Sequence, residues 1–264
     1  MMEAGALDLT GRHAIVTGGS RGIGEAIADA LAAAHATLTI MGRDLTKLND
    51  AGHSIAAAHN VPVTTIQCDV SDESSVAAAF EAARAAHGTP YILINNAGQA
   101  EGATVAETSL ELWQRLLAVN LTGTFLCTRQ VLEPMLAAGA GRIVNIASTA
   151  GLKGAARIAA YSASKHGVIG FTRSVAMEVA RTGVTVNAVC PSYTDTEMTE
   201  RTISAVAQRR KTNHVEARQR IERTVPMGRL ISPEEVAAAV LFLCSPAAAA
   251  ITGHALAVDG GETQ

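Results

Sequence analysis

Aromatic residues are scarce: one Trp, three Tyr and four Phe make up 3% of 264 residues. A site built on stacked rings is therefore not expected, and Trp113 reads as a packing residue. Charge is also sparse, at 17% of residues with a net of −3, which argues against general nucleic-acid binding. The four cysteines, Cys68, Cys127, Cys190 and Cys244, stand apart with no metal-like pairing, and each reads as a small buried hydrophobe. The eight histidines do not cluster either. His53 and His59 lie six apart, off one helical face, so no metal site is expected. No apolar run reaches the ~18 residues of a membrane span. The start, Met-Met-Glu-Ala-Gly-Ala-Leu-Asp, lacks a basic region followed by an apolar core, so no secretory signal is expected and a cytoplasmic location is. No linker, internal repeat or long low-complexity segment divides the chain.

What is present is concentrated in a few short segments. Tyr161 and Lys165 lie four apart, on one face of a helix and one turn from each other. A phenol with a pKa of about 10 is a poor acid or base at neutral pH. A neighbouring ammonium is expected to lower that value towards the working range. Thirteen residues upstream, Ser148 closes the buried run Ile-Val-Asn-Ile-Ala-Ser, with a hydroxyl suited to hold the oxygen whose proton moves. Such a set serves proton transfer at a carbonyl or alcohol oxygen. A Tyr-x-x-x-Lys pair alone is often only a solvated helix surface, and its neighbours decide the matter. Near the N-terminus, His13-Ala14-Ile15-Val16 reads as a short strand, followed by Thr17-Gly18-Gly19-Ser20-Arg21-Gly22-Ile23-Gly24 and an alanine-rich helix. Glycines let a backbone approach a diphosphate closely, and a helix N-terminus adds unpaired N–H groups and partial positive charge.

Strand and helix patterns alternate along the chain. Strands are predicted at 13–16, 37–41, 63–67, 91–94, 142–147, 184–189 and 255–258. Helices are predicted at 22–34, 45–59, 73–87, 109–138 (interrupted), 159–181 and 232–244. With 48% apolar residues, this implies a single α/β domain over residues 1–264, a Rossmann-type doubly wound parallel sheet with helices on both faces. Ligands bind such sheets at the carboxyl ends of the strands, near the switch point. The glycine turn, Asn95-Asn96-Ala97-Gly98 and Ser148 all follow predicted strands and would meet on that edge.

Together these segments resemble the short-chain dehydrogenase/reductase family over nearly the whole chain. Its motifs occur in order: Thr17-Gly18-x-x-x-Gly22-x-Gly24, Asn95-Asn96-Ala97-Gly98, Asn120, Ser148, Tyr161, Lys165, and the segment Pro191–Thr196 beside the nicotinamide. Tyr161-Ser-Ala-Ser-Lys165-His-Gly and Val184-Thr-Val-Asn-Ala-Val-Cys-Pro191 are most similar to β-ketoacyl and polyketide ketoreductases and to hydroxyacyl-CoA dehydrogenases. Ser192 departs from the family's usual glycine after the proline. The resemblance implies Asn120, Ser148, Tyr161 and Lys165 as the catalytic four. It implies a cofactor site of Thr17, Gly18, Ser20, Arg21, Gly22, Ile23, Gly24, Arg43, Asp69, Val70, Asn96, Ala97, Gly98, Tyr161, Lys165, Pro191, Thr194 and Thr196. It also implies a homotetramer, with the small-residue helix from Ala159 to Arg181 at one interface.

Charge bears on the cofactor. An acidic residue at the end of the second strand would hold an NAD ribose; here that strand runs into Gly42-Arg43-Asp44. Arg21 and Arg43 suit a 2′-phosphate, which favours NADP(H) over NAD(H), unless Asp44 neutralises Arg43 or caps the next helix while Arg43 turns to water. Asp69 is either an adenine contact, as in the family, or an Asx-type cap leading into Ser71-Asp72. In the mechanism so implied, Tyr161 protonates the substrate oxygen, Ser148 holds it, Lys165 lowers the Tyr161 pKa and meets the nicotinamide ribose, and Asn120 supports a water chain or merely bonds its own backbone.

Residues 193–228 form the expected substrate lid. They hold Arg201, Arg209, Arg210, Lys211, Arg218, Arg220 and Arg223, a third of the 21 basic residues. These make either a rim for the phosphates of coenzyme A or a carrier protein, or, the reading we favour, a solvated face laced with Glu200, Glu216 and Glu222. The leading function is reduction of a ketone or β-ketoacyl thioester. The alternatives are an NAD-linked 3-hydroxyacyl-CoA or secondary-alcohol dehydrogenase and a catalytically silent NADP-binding regulator.

Overall fold

A computed structural model describes residues 7–264; residues 1–6, which carry most of the start read above for a secretory signal, lie outside the described residues. Seven parallel strands form one sheet in the order β3-β2-β1-β4-β5-β6-β7. They are β1 (His13–Thr17), β2 (Thr37–Gly42), β3 (Val63–Gln67), β4 (Pro90–Asn95), β5 (Gly141–Ile146), β6 (Val184–Pro191) and β7 (Ala255–Val258). β5 and β6 are buried at every position, the polar Arg142, Asn145, Thr185 and Asn187 included, because both faces of a parallel sheet are covered.

The period of two sorts each strand between two cores. On β1, Ala14 and Val16 join a core with Ile27 and Leu31 of α1 (Gly22–Ala33), Leu48 and Ile55 of α2 (Leu45–His59), and Val236 and Val240 of α9 (Pro233–Cys244). Ile15 faces the opposite way, against Val76 and Phe80 of α3 (Glu73–His87), Val131 and Met135 of α5 (Gly123–Ala138), and Val175 of α6 (Ala159–Val179). The sheet is thus covered on both faces, as the strand–helix alternation implied.

Most helices open on a side-chain cap, including Asp44 on α2, Asp72 on α3 and Ser232 on α9. α1 does not: its N-cap is Arg21, with no side-chain cap bond. The interruption expected within 109–138 is not a loop. Helix continues from α4 (Leu110–Leu117) through a π turn at Ala118–Thr122 into α5, and Asn120 sits at the centre of that wide turn. The segment 193–228 carries two helices, α7 (Glu197–Arg210) and α8 (His214–Glu222), joined by a small core of Ile203, Ala217, Ile221 and Leu230.

Candidate active site

The strand order reverses between β1 and β4, and the segments that follow these two strands are tied together there. Asn96 donates from Nδ2 to the carbonyls of Thr17 and Gly18, both at 3.0 Å. Thr17 Oγ1 accepts from the backbone N–H groups of Asn96 (3.0 Å) and Ala97 (3.1 Å). Gly18 and Gly22 take φ values of 66° and 55°, in the region that disfavours a side chain. A Cβ on Gly24 would lie 2.2 Å from the Gly18 carbonyl oxygen and 2.4 Å from Asn96 Nδ2. The turn is therefore held bare by close packing, next to a helix N-terminus whose first N–H groups no side chain caps. That pairing fits the diphosphate of a dinucleotide.

Ser148, Tyr161 and Lys165 converge on one cleft of about 110 Å³, which Ile23, Asn96, Gly98, Pro191, Thr194 and Thr196 also line. Lys165 is 5% exposed, and its Nζ donates to the Ile146 carbonyl at 2.7 Å. It lies 5.8 Å from the Tyr161 ring centre. Burial pulls the Lys165 pKa down to about 8, so the ammonium is still largely protonated at pH 7. Burial also pushes the Tyr161 pKa up, with the Ser148 hydroxyl acting in the opposite sense. This corrects the sequence expectation: desolvation outweighs any pull from Lys165, and the phenol is held neutral. Ser148 itself accepts from the Ala150 N–H at 3.1 Å.

Asn120 is 1% exposed and does not bond its own backbone through its side chain. Its Oδ1 accepts from the Gln99 N–H (2.8 Å), and its Nδ2 donates to the Gln99 carbonyl (2.9 Å) and to Ser164 Oγ (3.0 Å). Ser164 in turn donates to the Tyr161 carbonyl at 2.7 Å. Both amide protons are thus engaged by protein, leaving one Oδ1 lone pair for a water. Ser164 and Gln99 escaped the sequence reading. Ser164 is 0% exposed, a property the sequence does not display, and nothing local marks Gln99.

The remaining residues surround the turn. Ser20 lies within the turn itself. Arg43 is exposed and, among the described residues, forms no ion pair. Asp44 caps α2 through the Lys47 N–H at 3.2 Å, so it does not neutralise Arg43. Arg21 is ion-paired with Glu197. Asp69 takes the Asx-type arrangement: its Oδ1 accepts from the N–H of Ser71 (2.9 Å) and from its hydroxyl (2.6 Å). Val70 packs on Gly123, where a Cβ would come within 2.8 Å of Cγ2. Ser192, the departure from the family pattern, donates its hydroxyl to Glu262, which Lys153 also contacts at 3.2 Å. Within residues 193–228, Arg201 pairs with Glu197, and Arg218 with Asp195, Glu200 and Glu222, so part of the basic segment is the charge-laced face expected. No group of three or more potential metal ligands occurs among the described residues, and none of their helices is long and apolar enough to cross a membrane.

A doubly wound sheet with a bare glycine turn at its switch point and a Ser, Tyr and Lys beside it defines a dinucleotide-dependent oxidoreductase. The chain belongs to the short-chain dehydrogenase/reductase family. It matches the family described as enoyl-(acyl carrier protein) reductase over residues 18–263. It is 44% identical over 250 residues to a granaticin polyketide synthase putative ketoacyl reductase of Streptomyces violaceoruber, covering 94% of this chain and 92% of that one. It is 40% identical over 255 residues to a 3-oxoacyl-[acyl-carrier-protein] reductase of Aquifex aeolicus, covering 97% and 98%. The crystal structure of a point variant of actinorhodin polyketide ketoreductase with NADPH superposes with a TM-score of 0.93 at 40% identity, covering 96% of this chain and 97% of that one.

Proposed function

We propose that this protein is an NADP(H)-dependent ketoreductase that converts a ketone or β-ketoacyl thioester to the secondary alcohol. The observation that carries this is the convergence of Ser148, Tyr161 and Lys165 on the cleft that Pro191, Thr194 and Thr196 also line. The relatives' ketoacyl substrates and the NADPH of the actinorhodin enzyme's structure support the substrate class and the cofactor.

The nicotinamide supplies the hydride when bound. The protein's own part is to bind, orient and move a proton. Arg21 and Arg43 give the 2′-phosphate two guanidinium partners, and the uncapped start of α1 takes the diphosphate. Ser148 Oγ holds the substrate oxygen, and Tyr161 Oη donates to it. A neutral phenol is the state that can donate a proton to the substrate oxygen. The charge left on Tyr161 is then stabilised by the Lys165 ammonium. Asn120 acts as a brace between the Gln99 loop and α6. Residues 193–228 form the lid within a single catalytic domain, and Asp69 and Val70 flank the adenine end. The enzyme works in the cytoplasm as a homotetramer, on a small molecule or on a thioester of coenzyme A or a carrier protein.

The test is a fluorescence titration with NADPH and NADH side by side, followed by turnover of acetoacetyl-CoA. Tight NADPH binding and NADPH consumption are expected. A preference for NADH with oxidation of 3-hydroxyacyl-CoA would replace this function with the reverse one. Cofactor binding with no turnover of any ketone would leave a silent regulator.

A further inference from the structure

Arg21 and Glu197 stand 176 residues apart and meet at the mouth of the cofactor turn. Arg21 is the N-cap of α1, and Glu197 is the first residue of α7. One carboxylate oxygen of Glu197 takes Arg21, and the other takes Arg201 at 2.6 Å. The start of α7 also sits on the turn itself, because a Cβ on Gly22 would come 3.1 Å from the Thr196 methyl. A third cation shares this corner. Lys47, in the first turn of α2 and shortly after Arg43, adds to the positive field that keeps Glu197 ionised, behind the larger effects of Arg201 and Arg21. Three basic groups, Arg21, Arg201 and Lys47, thus gather beside the place where a 2′-phosphate is expected; Glu197 holds the first two, and Asp44 stands 3.8 Å from the third.

We infer that Glu197 occupies, in the cofactor-free protein, the guanidinium that the 2′-phosphate of NADP(H) takes, so that it sets how strongly the enzyme separates NADP(H) from NAD(H). The inference rests on the NADP(H)-dependent function proposed above. The exchange is physically simple. Both partners are about half exposed, at 51% and 55%, and such a pair is weak enough to be displaced. A phosphate dianion outbids a single carboxylate for Arg21, and Glu197 retains Arg201, so no charge is left unpaired. A ribose 2′-hydroxyl carries no charge with which to compete. NADP(H) alone would therefore separate the first turn of α7 from the glycine turn, and the proposed lid would respond to the cofactor's phosphate.

The experiment is a fluorescence titration of NADPH and NADH against the wild type, Glu197→Gln, Arg21→Ala and the double variant, with circular dichroism to verify folding and Glu197→Ala as a second probe of the site. Glu197→Gln is expected to tighten NADPH binding roughly two- to fivefold, the range of an exposed ion pair, and to leave NADH binding unchanged. In the Arg21→Ala background the same substitution is expected to do nothing. Unchanged NADPH affinity in both Glu197 variants, or equal tightening of both cofactors, overturns the inference while leaving the enzyme an NADP(H) reductase. A wild type that does not prefer NADPH removes the cofactor assignment and this inference with it.

Discussion

At the scale of single residues, the chemistry depends on what burial does to Tyr161 and Lys165. The two groups move in opposite directions, the phenol up and the ammonium down to about 8, because desolvation disfavours the charged form of each. Tyr161→Phe removes the proton donor and nothing else in the cleft. Turnover is expected to fall by roughly 10²–10⁴, the usual share of a general acid, with the NADPH dissociation constant almost unchanged; substantial remaining turnover would place the proton elsewhere. Gly24 carries a different constraint. A methyl there would overlap the Gly18 carbonyl and Asn96 Nδ2, so Gly24→Ala is expected to abolish measurable cofactor binding. A titration indistinguishable from wild type would show that the turn can shift without cost.

The element that does most for the site is the helix that widens. A π turn at Ala118–Thr122 brings Asn120 inward, and such turns recur at functional sites. The three bonds of Asn120 join the loop after β4 to α6, which carries both Tyr161 and Lys165. Asn120→Ala leaves the Gln99 backbone pair and Ser164 without these partners. A loss of about 1–3 kcal/mol in urea unfolding is expected for such buried groups, with a larger loss of turnover than Tyr161-independent effects on cofactor binding would cause. Unchanged stability would mean that Gln99 finds other partners. Tyr161 and Lys165 were legible four apart on a helix, as was the strand ending at Ser148. The π turn was legible only as an interruption within 109–138, and the partner that Asn120 meets from it, Gln99, lies 21 residues upstream.

For the whole molecule, one buried titratable group lies at the sheet edge opposite the cleft. His13 is 3% exposed, with Nδ1 on the Gly88 carbonyl at 3.0 Å and Nε2 on the Thr39 hydroxyl at 2.9 Å. The carbonyl can only accept, so Nδ1 carries the proton and Nε2 accepts from Thr39, which satisfies the neutral ring. Burial lowers the His13 pKa from 6.5 to about 4. Between those values the unfolded chain binds the proton and the folded one does not, so stability rises with pH across this window and is lost as pH falls through it. The full contribution is about 3 kcal/mol. His13→Gln is expected to flatten the decline of unfolding free energy between pH 7 and pH 4.5, measured with urea; an identical slope in the variant would clear His13 of this role.

The alternation of strand and helix, the glycine turn after β1 and the Ser148, Tyr161 and Lys165 set are written into the order of residues, because each rests on local periodicity or close spacing. What those groups experience is set by the folded chain. The fold places Glu197 on Arg21, Gln99 on Asn120 and Glu262 on Ser192, pairs whose members are 176, 21 and 70 residues apart. It turned Asp69 onto Ser71, one of two arrangements the sequence allowed. It also reversed the expected shift of Tyr161, since the free energy of a buried charge depends on the groups packed around it, and no local pattern in the chain encodes that packing.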